Sequence, residues 1–163
     1  MKKIAILCVE DEAEVREAVI RDLKPFAGAF RIEAAEDVND ARDVLTELEE
    51  EGLELGLALC DHMMPGESGV DFLVSLENND EYQDSRKILI TGQAGLEDTV
   101  RAVNEAQLHH YISKPWNPEE LQSVVKKQLT DYVIENAEDL KPYVACLDGA
   151  RLMTEIAKTG SDR

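Results

Sequence analysis

The 163-residue sequence is poor in positive charge. Its 17 lysines and arginines face 35 aspartates and glutamates, a formal net charge of −18 at pH 7. Direct nucleic-acid binding needs a basic patch to meet phosphates, and the one candidate, Lys126-Lys127, is too short to make one. Long apolar runs are also missing, and none approaches the roughly 20 residues needed to span a bilayer. The opening stretch "MKKIAILCVEDE" resembles a signal peptide in its two lysines and apolar run. That run stops after six residues at Glu10, however, with no cleavage site. Cysteines number three, Cys8, Cys60 and Cys146, and two of them lie inside apolar runs. They read as small core hydrophobes of a protein in a reducing cytoplasm rather than as a disulfide frame or metal site. There is no internal repeat, no low-complexity segment and no Gly-rich phosphate loop of the P-loop or dinucleotide type.

What is present is a globular composition, 44% apolar and 32% charged, long enough for one domain with a proper core and a short remainder. Apolar runs alternate with helical stripes. "IAILCV" (4 to 9) and "LGLALC" (55 to 60) are continuous, as expected of strands covered on both faces. "FRIEAAE" is more polar and alternating, which places it nearer a sheet edge, while "KILIT" and the short "HYIS" complete five strands. Between and after them run five helical patterns. Val15, Ala18, Val19 and Leu23 form the first, closed by Pro25. Val38, Ala41, Leu45 and Leu48 form the second, ended by Gly52 as a C-cap. A short helix covers Val70 to Leu76, and Leu96, Val100 and Val103 mark the next. Pro118 opens the last, which carries Leu121, Val124, Val125 and Leu129. Such alternation predicts an α/β fold with a doubly wound parallel sheet, joined by right-handed crossovers.

In these folds ligands sit beyond the carboxyl ends of the strands. The residues there are Glu10-Asp11, Asp61, Thr91 and Lys114. Three carboxylates repel one another unless a cation joins them, and oxygen donors of this kind suit Mg2+. A carboxylate beside Mg2+, a hydroxyl and an ammonium is equipped to receive a phosphoryl group. Asp61 ends a buried strand and runs straight into a Met-Met-Pro-Gly turn, which is expected to expose it for phosphorylation.

The stretches "ILCVEDEAEVRE", "ALCDHMMPGESGVDFL", "ILITG" and "YISKPW" resemble the motif blocks of bacterial response-regulator receiver domains, in order and at family-like spacing over roughly residues 1 to 130. The resemblance implies a flavodoxin-like sheet of order 2-1-3-4-5. It also implies phosphotransfer from the phosphohistidine of a sensor histidine kinase or a histidine phosphotransfer protein. On that basis Asp61 matches the phosphoacceptor, and Glu10 and Asp11 match the acidic pair. The backbone carbonyl of Met63 completes the ligands for Mg2+, or for Mn2+ in its place. Thr91 matches the switching hydroxyl, Lys114 the lysine that pairs with the phosphoryl group, and Tyr111 the aromatic switch position. The Lys114-Pro115 peptide bond is expected to be cis.

Two departures stand out. Glu10 replaces the commoner aspartate, so its longer arm is expected to reach a metal through water. Met63 and Gln93 occupy positions that in this family influence hydrolysis, and only the glutamine can orient a water. Other readings remain beside the family one. Tyr111 also suits plain core, Trp116 suits packing or a partner surface, and His109 and His110 lack a metal-ligand pattern. A phosphorylation-independent interaction module would keep the fold without the chemistry. A Mg2+-dependent phosphatase with an aspartate nucleophile wants a second acid where Met63 stands, so no separate enzyme activity is expected.

Residues 131 to 163 form a helical extension that the resemblance does not explain, too short for an ordinary winged-helix or helix-turn-helix output domain. Leu129, Val133, Asn136, Leu140, Tyr143 and Leu147 follow heptad-like spacings, with Asn136 able to set register and Pro142 imposing a turn. A short helix at 150 to 158 would put Leu152, Met153 and Ile156 on one face. Two readings follow: the extension folds back on its own receiver, or it pairs with a second copy in a homodimer. The kinase and the downstream protein target are not legible.

Overall fold

The computed structural model describes residues 3–92 and 94–161. Gln93 and its expected part in hydrolysis therefore lie outside the described residues. Five strands, β1 (Ile4–Val9), β2 (Arg31–Ala35), β3 (Glu54–Cys60), β4 (Arg86–Ile90) and β5 (His110–Ile112), form one parallel sheet of order β2-β1-β3-β4-β5. This is the expected flavodoxin-like order, with the half-polar β2 at an edge. β1 is buried along its whole length because its alternating side chains feed two cores. Ile4, Ile6 and Cys8 face α1 (Ala13–Asp22) and α5 (Pro118–Asn136). Ala5, Leu7 and Val9 face α2 (Val38–Glu50), α3 (Gly69–Glu77) and α4 (Leu96–Glu105).

Local signals fix most helix ends. Asp37 caps α2 by accepting the Asp40 N–H at 2.8 Å, Ser68 caps α3 through Asp71 N–H, and Asn117 caps α5 ahead of Pro118. Gly52 follows the end of α2 in the left-handed region at φ 78°, which its missing Cβ allows. In α4 the apolar stripe that marks the helix is not the face that the helix buries. Leu96, Val100 and Val103 are 82%, 47% and 50% exposed, and contact with the core is made by Ala102 and, just beyond the helix, Ala106. Small side chains let the backbone approach the sheet, which turns the larger ones outward.

The C-terminal extension folds back on its own receiver. α5 runs through residue 130, where a boundary was expected, to Asn136. A single 3-10 turn at Lys141–Tyr143 carries Pro142, and α6 (Gly149–Ser161) follows. Leu129, Val133, Tyr143, Leu147 and Leu152 enter the same core as Ile4 and Phe30, and Phe30 and Tyr143 stack with ring centroids 5.3 Å apart. The heptad-like seam is thus spent within the chain. Asn136, expected to set register, returns its amide to Tyr132 O at 3.0 Å inside α5. The face expected to join Leu152 and Met153 splits, with Leu152 fully buried and Met153 54% exposed. Polar contacts staple the return. Arg151 meets Asp131 at 2.8 Å, and the buried Thr130 hydroxyl accepts the Asp148 N–H at 3.1 Å.

Candidate functional site

Strand register brings the site together. Val9 lies opposite Cys60, and Cys60 lies opposite Leu89. Glu10 and Asp61 therefore leave adjacent strands side by side, and Asp61 N–H still donates to Val9 O at 3.0 Å. Thr91 follows β4 one residue beyond that row, its N–H on Ile112 O at 3.0 Å. Carboxylate oxygens of Glu10, Asp11 and Asp61 all lie within 4.8 Å of one another. Lys114, from the end of β5, reaches into this cluster. Its Nζ contacts Glu10 Oε1 and stands 3.2 Å from Asp61 Oδ2. The Lys114-Pro115 bond is cis, as expected.

Asp61 itself is not exposed. It is only 4% accessible, at the floor of the cluster rather than at the tip of its turn. Its neighbours account for this: Lys114 covers one oxygen, and the other accepts the His62 N–H at 2.8 Å. A buried carboxylate is tolerable when both oxygens are bonded in this way. Gly69, the first residue of α3, closes the floor from behind. A Cβ there would lie 1.8 Å from Asp61 O and 2.7 Å from its carbonyl carbon, so only glycine lets α3 start against the acceptor's backbone. The Met63 side chain points to solvent, with 58% of its surface exposed.

The three acids differ in their partners. Both oxygens of Glu10 are engaged, one with Lys114 and the other with Glu12 N–H at 3.2 Å. Burial pushes the Glu10 carboxyl above its usual range, against the pull of Lys114 and the Glu12 N–H. Burial acts to lower the Lys114 ammonium, but the hydrogen bond to Glu10 and the charge of Asp61 outweigh it and raise the pKa. Asp11 is the exception, because its Oδ1 is buried and has no hydrogen-bond partner among the described residues. A buried, orphaned carboxylate oxygen beside two other carboxylates is the donor arrangement that a hard divalent cation satisfies. The residues present therefore fit Mg2+.

Around this centre, Thr91 is fully buried and its carbonyl accepts the Tyr111 hydroxyl at 3.0 Å. Tyr111 is half-buried against the α2–α4 core, so its ring packs while its hydroxyl tracks Thr91. Cys8 and Cys60 are buried and free, with burial raising the Cys8 thiol to about 12, and Cys146 is also free. Trp116 donates its indole N–H to Asp22 at 2.8 Å and packs on the α1/α5 side. His109 Nδ1 accepts the Lys87 N–H at 3.0 Å, and His110 is exposed at the start of β5.

Two contributors escaped the sequence reading. Gly69 gave no local signal beyond its place just before the helix expected over Val70 to Leu76, since its contact is with backbone eight positions back. His62 is buried beside Asp61, with Nε2 3.0 Å from Asp98 Oδ2 on α4. That pairing spans 36 residues, so no spacing rule could have found it.

Residues 6–126 match the family described as the response regulator receiver domain. Among curated relatives, the hydrogenase transcriptional regulatory protein HoxA of Bradyrhizobium diazoefficiens is 34% identical over 130 residues, covering 80% of this chain and 25% of that protein. The phosphate regulon transcriptional regulatory protein PhoB of Shigella dysenteriae is 31% identical over 152 residues, covering 91% of this chain and 63% of that one. The chain thus spans from a quarter to under two thirds of these relatives' length. Among solved structures, a CheY-like response regulator receiver domain protein from Methanospirillum hungatei superposes with TM-score 0.69 at 28% identity, over 83% of this chain and all of that one.

Proposed function

The chain belongs to the response regulator receiver domain family, and we propose that it accepts a phosphoryl group on Asp61 and converts that event into altered protein contacts. The observation that carries the reading is the convergence of Glu10, Asp11 and Asp61 within 4.8 Å of one another at the ends of β1 and β3, with Lys114 brought onto Glu10 and Asp61 from beyond β5.

An Asp61 carboxylate oxygen attacks phosphorus in line. The phosphorus–nitrogen bond to a donor phosphohistidine breaks, and its electron pair stays on the imidazole nitrogen. Mg2+, held by Asp11 and Asp61 with Glu10 nearby and the Met63 carbonyl as a further donor, would offset charge on the phosphoryl oxygens. Mn2+ offers the same chemistry. Lys114 already stands beside the acceptor oxygen, so its ammonium exchanges part of its contact with Glu10 and Asp61 for the incoming phosphoryl oxygens. The Thr91 hydroxyl turns toward the same oxygens, and Tyr111 follows through its bond to the Thr91 carbonyl. The outcome is a shift between two arrangements of the α4–β5–α5 face, where Leu96, Val100 and Val103 are already exposed for a partner.

The phosphodonor is a sensor histidine kinase or histidine phosphotransfer protein, and the phosphorylated form acts on a downstream protein in the cytoplasm. Among the described residues no helix is long and apolar enough to cross a membrane. The test is acetyl phosphate with and without Mg2+, read by intact mass. One added phosphoryl group in Mg2+, lost on chelation and in Asp61→Asn, is expected. Undiminished labelling of Asp61→Asn would overturn the assignment. A wild-type chain that takes neither phosphoryl nor beryllofluoride would be a phosphorylation-independent interaction module.

A further inference from the structure

Beside the three acids and the lysine, the described residues include a buried polar group, His62, that touches the acceptor and also reaches a different element. His62 is 6% exposed. Its backbone N–H donates to Asp61 Oδ1 at 2.8 Å, so its placement orients the acceptor carboxylate. Its ring crosses to α4, where Nε2 lies 3.0 Å from Oδ2 of the half-exposed Asp98. Nδ1 is buried and has no partner among the described residues. Asp98 is thus the ring's only polar anchor there, and withdrawing it would leave both ring nitrogens buried and unpaired, a costly state. One residue therefore reads the acceptor through its backbone and α4 through its side chain.

α4 is well suited to be held by such a contact. It buries little more than Ala102, turns its large apolar residues to solvent, and is otherwise tied to α3 by Arg101 on Asp71. Its position rests on a few polar contacts, and the one nearest the acceptor is His62–Asp98.

Building on the phosphoacceptor reading, we propose that the His62–Asp98 pair is a latch that holds the first turn of α4 in the unphosphorylated position. His62 is the positioning residue that couples this turn to Asp61. Loading the acceptor pulls Asp61 Oδ1 into a new set of contacts, shifts the His62 backbone and releases Asp98. Coupling is reciprocal, so a contact that favours the unloaded arrangement weakens binding of a phosphoryl mimic, and its removal strengthens it.

A double-mutant cycle on the full chain, with beryllofluoride and Mg2+ as the probe, tests this. His62→Phe keeps a buried ring without the nitrogens, and Asp98→Asn changes a half-exposed residue. Each single variant should bind beryllofluoride about fivefold more tightly than wild type. His62→Phe should add nothing in the Asp98→Asn background. Amide exchange over 96–105 in the free single variants should rise toward that of the loaded wild type. Additive effects would mean that Asp98→Asn acts only by removing a negative charge near the site, and would overturn the latch, as would weaker binding or unchanged exchange. Should His62→Phe not fold, Asp98→Asn against Asp98→Glu carries the test, because the glutamate should restore wild-type affinity and exchange. If the wild type itself fails to bind beryllofluoride, the phosphoacceptor reading fails, an outcome separate from the cycle.

Discussion

Replacing Leu152 with alanine tests whether the C-terminal extension is part of the receiver's own core. Leu152 lies on α6, is fully buried and shares a cluster with Ile4, Phe30 and Tyr143. Leu→Ala removes three carbons, a transfer loss of about 2.4 kcal/mol at about 0.8 kcal/mol per methylene. The cavity adds to this, because the site is walled by strand and helix residues that cannot collapse freely, which brings the expected loss to about 3–4 kcal/mol. For a chain of this size each kcal/mol moves the melting temperature by about 2–4 °C, so a fall on the order of 10 °C is expected. The neighbouring Met153→Ala is the control. Met153 is 54% exposed, and its removal should cost no more than about 0.5 kcal/mol. Urea unfolding followed by far-ultraviolet circular dichroism and by Trp116 fluorescence reads both. A single transition, shifted in Leu152→Ala and unmoved in Met153→Ala, is the expected result. Equal small shifts in the two variants would refute the docking of α6 on the receiver. So would a separate early transition that leaves the main one in place.

The two remaining predictions concern the acceptor's floor and a buried histidine. Gly69→Ala should lose beryllofluoride binding and cost about 3 kcal/mol, because its Cβ would fall 1.8 Å from Asp61 O. Gly28→Ala, where nothing lies within 4 Å, should do neither, and normal binding by Gly69→Ala would refute the close-approach argument. His109 is lowered to about 4 by burial and by the charges of Arg86 and Lys87. Unfolded, it takes a proton near pH 6.5, so between pH 6.5 and 4 the unfolded chain binds more protons and the folded state loses stability as pH falls. Nuclear magnetic resonance should show His109 titrating near 4, and His109→Gln, which keeps an acceptor for Lys87 N–H, should flatten this part of the pH dependence. A His109 that titrates near 6.5 in the folded protein would refute it.

The sheet and the residues at its rim were legible because their determinants are local. A strand covered on both faces reads as an unbroken apolar run, so "IAILCV" and "LGLALC" announced the central strands, and the polar residue after each run had to emerge at the carboxyl edge. Parallel pairing then left little freedom, which is why Glu10, Asp61, Thr91 and Lys114 were recognisable as neighbours before any coordinates. The end of α2 and the start of α5 were similarly written in Gly52 and Pro118. Tertiary structure decided what depends on the distance of approach between elements. Asp61 is buried although its turn suggests exposure, since Lys114 closes over it from beyond β5 while the His62 N–H takes its other oxygen. α4 carries an apolar stripe yet buries Ala102, because contact with the sheet selects the smaller side. The heptad-like spacing at 129 to 147 suits a partner's helix and the chain's own core equally well. Only the turn after Asn136, with Tyr143, Leu147 and Leu152 brought back onto Ile4 and Phe30, chose between them. Periodicity records that a face is apolar, and what covers that face is set by contacts far away in sequence.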